Sequence, residues 1–175
     1  STATPQPKPQ VLPITVGLIG ADGAEVAPSR VLEMTEAEQS FTFDGLDARP
    51  VASVLRGFSA PVVLEQDRSK EERLLLLAHD SDPFNRWEAG RTLARQSLLA
   101  VITEGSAPDD AWLEALRAVL EDETLEPAYR ALMLGLPSHA DLASTLHDAG
   151  KTPDPAAIHQ AVEATRNAMA ERFAA

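Results

Sequence analysis

Two periodicities divide the chain. From residue 11 to about residue 66, apolar positions come in short β-branched runs or alternate with polar ones; from residue 69 they recur every three or four residues. Residues 11–19 predict a strand, followed by the tight-turn signal Ala21-Asp22-Gly23-Ala24. Residues 31–34 predict a second strand. Ser40-Phe41-Thr42-Phe43 predicts a third, with both phenylalanines on one face, and residues 51–55 and 61–65 predict two more. Asp44-Gly45 and Gly57 provide the turns between them. Short strands punctuated in this way predict a small Ig-like β-sandwich. Five strands are few for two packed sheets, so the sandwich is expected to be incomplete at its N-terminal side.

The second half carries repeated helix-start devices. Ser69-Lys70-Glu71-Glu72 reads as a capping box, in which the serine hydroxyl accepts from the third amide and the glutamate reaches back. Asp82-Pro83 and Asp154-Pro155 each pair an N-cap with a proline at the first helical position, where the missing N–H costs nothing. Pro108-Asp109, Pro127 and Pro137-Ser138 open three further helices, while Gly105, Gly135 and Gly150 mark stops. The helix after Pro83 is expected to bury Trp87, Ala94, Leu98 and Val101; the next, Trp112, Leu113, Leu116, Val119 and Leu120; the last, Ile158, Val162, Thr165, Met169 and Phe173. Five or six helices with short connections predict an all-α, solenoid-like array without a fixed repeat period. The expected organisation is an extended Pro-rich arm over residues 1–10, part of a β-sandwich over 11–68 and the first part of a helical domain over 69–175.

Composition narrows the function. The 175 residues contain 15 Lys+Arg against 27 Asp+Glu, a formal net charge of -12. Such a surface repels phosphate backbones and anionic headgroups, which argues against nucleic-acid or membrane partners. The absence of cysteine excludes disulfides, thiolate nucleophiles and Cys-based metal sites, and fits a cytoplasmic setting. The longest apolar runs, residues 11–19 and 74–78, fall well below the ~20 residues of a membrane-spanning helix. The polar, Met-less beginning suggests a piece of a longer chain.

Candidate chemistry is sparse. His79, His139, His147 and His159 include no H-E-x-x-H and no i, i+4 pair, and read as surface or capping residues, with His79 at a helix end. Glu121-Asp122-Glu123 reads as a solvated helix end and Asp109-Asp110 as a cap with its neighbour. There is neither a G-x-S-x-G elbow nor a Gly-rich phosphate loop. Catalytic, cofactor-binding and metal-ligating residues are therefore expected to be absent.

Several segments nonetheless have a distinctive order. These are Pro13-Ile14-Thr15-Val16-Gly17-Leu18; residues 31–43; Arg49-Pro50-Val51; Leu55-Arg56-Gly57-Phe58-Ser59-Ala60-Pro61-Val62; and Asp82-Pro83-Phe84-Asn85-Arg86-Trp87-Glu88-Ala89. Together they resemble the C-terminal part of bacterial aminopeptidase N, the zinc-dependent gluzincin type. The F-S-A-P-V and D-x-F-x-R-W-[ED]-A segments are the most specific. The resemblance runs from about residue 10 to residue 102 and continues more loosely beyond Trp112. It implies a parent with an N-terminal β domain, a thermolysin-like catalytic domain, a small sandwich and a helical domain. That parent's zinc motif H-E-x-x-H…E and substrate motif G-A-M-E-N do not occur here. None of the family's zinc ligands, general base or transition-state stabilisers maps onto a position of this chain.

The resemblance implies that this segment is scaffold within a cytoplasmic aminopeptidase. It would seat the parent's other domains and cover part of the cavity in which peptides are trimmed. Zinc would belong to the parent and no cofactor to this segment. Its partners would be the catalytic and N-terminal domains of the same parent chain, with peptides as the parent's substrates. Arg86 and Trp87 are expected to be structural residues at the junction between the β and helical parts, with the Arg86 fork holding a carboxylate or carbonyls. Two other readings are a free-standing, non-enzymatic interaction module and a small carboxylate enzyme. Unpaired strand edges and the stripe ending at Met169 and Phe173 also predict self-association of the isolated chain. Sedimentation velocity should then show dimers or larger species at high concentration; a single monomeric boundary would contradict it.

Overall fold

The computed structural model describes residues 11–174, so the Pro-rich arm expected over residues 1–10 lies outside them. The described residues form two compact units that divide between Asp67 and Arg68.

The first unit is one antiparallel sheet of three strands, β1 (Leu12–Ile19), β2 (Glu25–Met34) and β3 (Val51–Val54), in the order β2-β1-β3. The predicted turn joins β1 to β2. Gly23 takes a left-handed φ of 82°, and Asp22 Oδ1 accepts a hydrogen bond from the Ala24 N–H at 3.0 Å. In the register Thr15 faces Val31 and Ile19 faces Glu25, with irregularities on either side of Leu18. Val16, Leu18 and Leu32 form the core of one face, joined by Ile14, Phe41, Phe43 and Leu46.

Arg56 covers the other face of the central strand. An added Cβ on Gly17 would lie 2.0 Å from Arg56 Cζ, so the guanidinium rests where residue 17 has no side chain. Arg56 donates from Nε to Ser53 Oγ at 2.9 Å, and from Nη1 to Ser29 Oγ at 2.8 Å and to Glu25 Oε1 at 2.6 Å. The guanidinium thus ties β3 to β2 across β1, and its charge is paired and bonded as burial requires. Leu55 and Phe58 adopt left-handed φ values of 61° and 55° around it, a strained turn for side-chain-bearing residues. Ser59 of the F-S-A-P-V segment then accepts the Thr15 N–H at 2.8 Å, continuing the β1 ladder beyond the end of β3.

Two of the five expected strands are absent. Residues 40–43 make no ladder; their phenylalanines pack on the sheet from a loop. Residues 61–65 are also unpaired, since Pro61 lacks a donor and Val63 is 91% exposed. The second strand is longer than expected, starting at Glu25 rather than near Val31.

The second unit holds six helices: α1 (Lys70–His79), α2 (Pro83–Glu104), α3 (Asp110–Glu121), α4 (Pro127–Met133), α5 (His139–Asp148) and α6 (Pro155–Phe173). The expected caps form. Ser69 and Glu72 make a full capping box, and the Asp82, Asp109 and Asp154 carboxylates each accept a first-turn N–H. Gly105 and Gly150 end their helices at φ values of 67° and 71°. A second capping box, Ser138 with Asp141, starts α5 and was not apparent from the sequence. The α2 helix touches each of the other five and serves as their common spine. Its Leu98 packs with Leu142, Leu146, Ile158, Ala161 and Val162 from α5 and α6. Trp112, Leu113, Leu116 and Val119 are buried on α3 as expected, but Trp87 and Val101 on α2 are only half-buried.

Gly17→Ala should destabilise the first unit by about 1–3 kcal/mol, because the Arg56 guanidinium must be displaced from its partners. The expected readout is faster amide exchange along β1 with little change in the helices.

Candidate functional site

The segment with the most distinctive sequence, residues 82–89, begins α2 and is fixed by a polar network. Asp82 caps the helix by accepting the Asn85 N–H at 2.9 Å, and its own N–H donates to Asp80 Oδ1 at 2.9 Å. One turn on, the buried Arg86 points back at the preceding helix. Its Nε donates to the Leu77 carbonyl at 2.7 Å and its Nη2 to the Ala78 carbonyl at 2.8 Å. These carbonyls lie in the last turn of α1, where intrahelical donors run out. The Asp122 carboxylate at the end of α3 stands 3.7 Å from Arg86 Nη2. Arg86 therefore ties α1, α2 and the end of α3 together through two carbonyls and a carboxylate.

Neighbouring contacts complete the arrangement. Tyr129 Oη donates to the Pro83 carbonyl at 2.7 Å, and Arg130 Nη1 to the Leu120 carbonyl at 2.9 Å. Burial raises the Tyr129 phenol above its ordinary range. The Asp122 carboxyl is held below the ordinary range, first by the Thr124 hydroxyl bond, then by the Thr124 N–H and the charges of Arg86 and Arg130. Trp87 is half-buried, 5.8 Å from the Phe84 ring and with the Arg91 guanidinium 5.4 Å from its centroid.

The network contains charge-assisted hydrogen bonds but no nucleophile with an adjacent base. The histidines are dispersed, except that His139 and His159 stack with centroids 5.9 Å apart, a pairing across two helices that sequence spacing did not reveal. Among the described residues, no three of His, Cys, Asp and Glu converge to hold a metal ion. The residues present do not fit the zinc site of the resembled family, so no hydrolytic step is assigned to them. Three cavities are lined by described residues of the helical unit. One, of about 630 Å³, is largely apolar, with Leu136, Val162, Met169 and Phe173 in its wall. A second, of about 210 Å³, is lined by Arg91, Arg95, Pro137, Asp141, Ser144 and Thr145, and a third, of about 250 Å³, lies beside Lys70, Ser97 and Asp109. Among the described residues no helix is long and apolar enough to cross a membrane.

Comparison with known proteins gives consistent matches to both units. Residues 1–67 match a domain of unknown function, DUF3458, described as an Ig-like fold, and residues 70–175 match DUF3458_C, described as ARM repeats. Aminopeptidase N of Caulobacter vibrioides is 41% identical over 159 residues, 89% of this chain and 18% of that protein. Aminopeptidase N of Escherichia coli K12 is 36% identical over 149 residues, 82% of this chain and 17% of that protein. The crystal structure of Legionella pneumophila aminopeptidase A in complex with aspartic acid superposes with a TM-score of 0.73 and 28% identity, covering 95% of this chain and 19% of that one. The chain thus spans less than a fifth of the length of these relatives. The expected class, an Ig-like β part followed by a solenoid-like helical part, agrees with both domain descriptions.

Arg86→Leu should cost about 2–4 kcal/mol, because it leaves two buried carbonyls without a donor. Arg86→Lys should recover less than half of the loss, since an ammonium lacks the planar fork; urea unfolding followed by Trp fluorescence measures both. The Asp122 carboxyl has a folded-state pKa below its unfolded one. Its contribution is therefore present above the unfolded pKa of about 3.9 and is lost as pH falls through the folded value. Asp122→Asn should flatten the acid limb of stability against pH; an unchanged slope would remove Asp122 from that account.

Proposed function

This chain belongs to the DUF3458 family, an Ig-like module followed by ARM repeats, and on that premise we propose that it is the non-catalytic C-terminal portion of a zinc metalloaminopeptidase. The alignment with aminopeptidase N of Caulobacter vibrioides over most of this chain is the observation that carries the reading. In the parent, a zinc ion held outside this segment supplies an activated water for hydrolysis of the peptide bond after the N-terminal residue. This segment contributes no reacting group. It is scaffold and part of the cover over the active-site cavity, and it works in the cytoplasm beside the parent's catalytic and N-terminal domains. A stacked helical array suits that work, because ARM-type helices present an extended surface on a stiff frame. Arg86 and Trp87 belong to that frame, at the start of the helical part and next to the β part in sequence.

Mass and activity measured together test the reading. An antibody against this chain should capture, from its source cells, a species several-fold larger than 18.7 kDa. That species should release N-terminal residues from short peptides, lose the activity to a chelator and regain it with zinc. The 175-residue chain alone should release none. A captured species near 18.7 kDa without activity would instead favour a free-standing interaction module.

A further inference from the structure

The cavity lined by Arg91 and Arg95 contains a guanidinium that makes no hydrogen bond to a described residue. Arg91 and Arg95 stand one turn apart on α2, so their guanidinium groups project to the same side, towards α5. Arg91 is fully engaged: it lies over the Trp87 ring and donates to Asp141 Oδ2 at 3.2 Å. Asp141 is also committed, since its carboxylate accepts the Ser138 N–H that closes the capping box of α5. Arg95 is half-buried in the cavity wall and donates no hydrogen bond to any described residue. Across the cavity, Thr145 spends its hydroxyl proton on the Asp141 carbonyl at 2.8 Å, whereas Ser144 keeps its own. The Asp141 carboxylate in the same wall feels the charge of Arg95 without a hydrogen bond from it, whereas Arg117, Arg166 and Arg172 bond their carboxylates directly.

We propose that this cavity between α2 and α5 is a binding site for a carboxylate, held by the Arg95 fork with the Ser144 hydroxyl as an additional donor. Two guanidinium groups and one carboxylate give the pocket a charge of about +1, which suits a monoanion. A phosphate dianion would add a second negative charge beside Asp141 within an already acidic molecule. Planar guanidinium matches the two oxygens of a carboxylate in a bidentate pair. A cavity of about 210 Å³ admits the end of a peptide or a small organic acid. The proposal concerns the helical unit alone and does not rest on the aminopeptidase reading.

The test is an NMR titration of the 175-residue chain. N-acetyl-dialanine, which carries a free carboxylate, is compared with N-acetyl-dialanine amide and with inorganic phosphate. The acid should saturably shift the Arg95 Nε–H signal and the Ser144 and Thr145 amides, while the amide should leave them unmoved. Arg95→Gln should weaken binding about tenfold or more, Ser144→Ala should weaken it by a smaller factor, and added salt should weaken it progressively. Arg95 donates no hydrogen bond to a described residue and acts on Asp141 by charge alone, so its replacement should leave the fold intact. Equal shifts with acid and amide, no saturation, or unchanged affinity in Arg95→Gln would overturn the proposal. Tighter binding of phosphate than of the acid would overturn the carboxylate assignment.

Discussion

The carbonyls that end α1 need donors, and much of the helical unit follows from where those donors come from. Leu77 and Ala78 lie where α1 has no further N–H to offer, and water has little access beside the buried Leu76 and Leu77. Arg86 satisfies both carbonyls from the first turn of α2. That single reach fixes the angle at which the chain turns between the two helices. It also brings the guanidinium near Asp122, so the end of α3 shares in the same charge. Since α2 touches each of the other five helices, a set direction at its beginning is inherited along its length.

The first unit uses an arginine for a comparable purpose on a different frame. A three-stranded sheet has two faces and, at this size, only enough apolar side chains to pack one of them. Arg56 occupies the central part of the other, meeting its hydrogen-bonding needs with Ser53, Ser29 and Glu25. Both buried arginines bond groups on neighbouring elements. Arg95 differs from both in lining a cavity and making no hydrogen bond to a described residue.

The helical half was readable because its boundaries are written in local chemistry. Ser69, Asp82, Asp109 and Asp154 form their caps with atoms two or three residues away, so sequence alone placed them. The β half was less legible because strands depend on partners. The alternation at residues 40–43 is real, but Phe41 and Phe43 use it to pack on the sheet without a neighbouring strand to bond. The early start of β2 was hidden by Pro28, whose ring is tolerated there because β2 is an edge strand. At the candidate site, the kinds of acceptor for Arg86 were foreseeable, whereas their identity was not, since they lie on the preceding helix. Likewise, His139 and His159 come together only when α5 and α6 pack.

The contact between Gly17 and Arg56 also constrains how this sequence can change over time. Position 17 accepts any side chain only after position 56 has lost its guanidinium, because the two compete for one volume. Position 56 can lose it only by giving up its ion pair with Glu25 and its bonds to Ser29 and Ser53. Each route therefore passes through an unfavourable intermediate. The three positions 17, 25 and 56 drift as a linked set, with an order of replacement imposed by sterics at one end and by charge at the other.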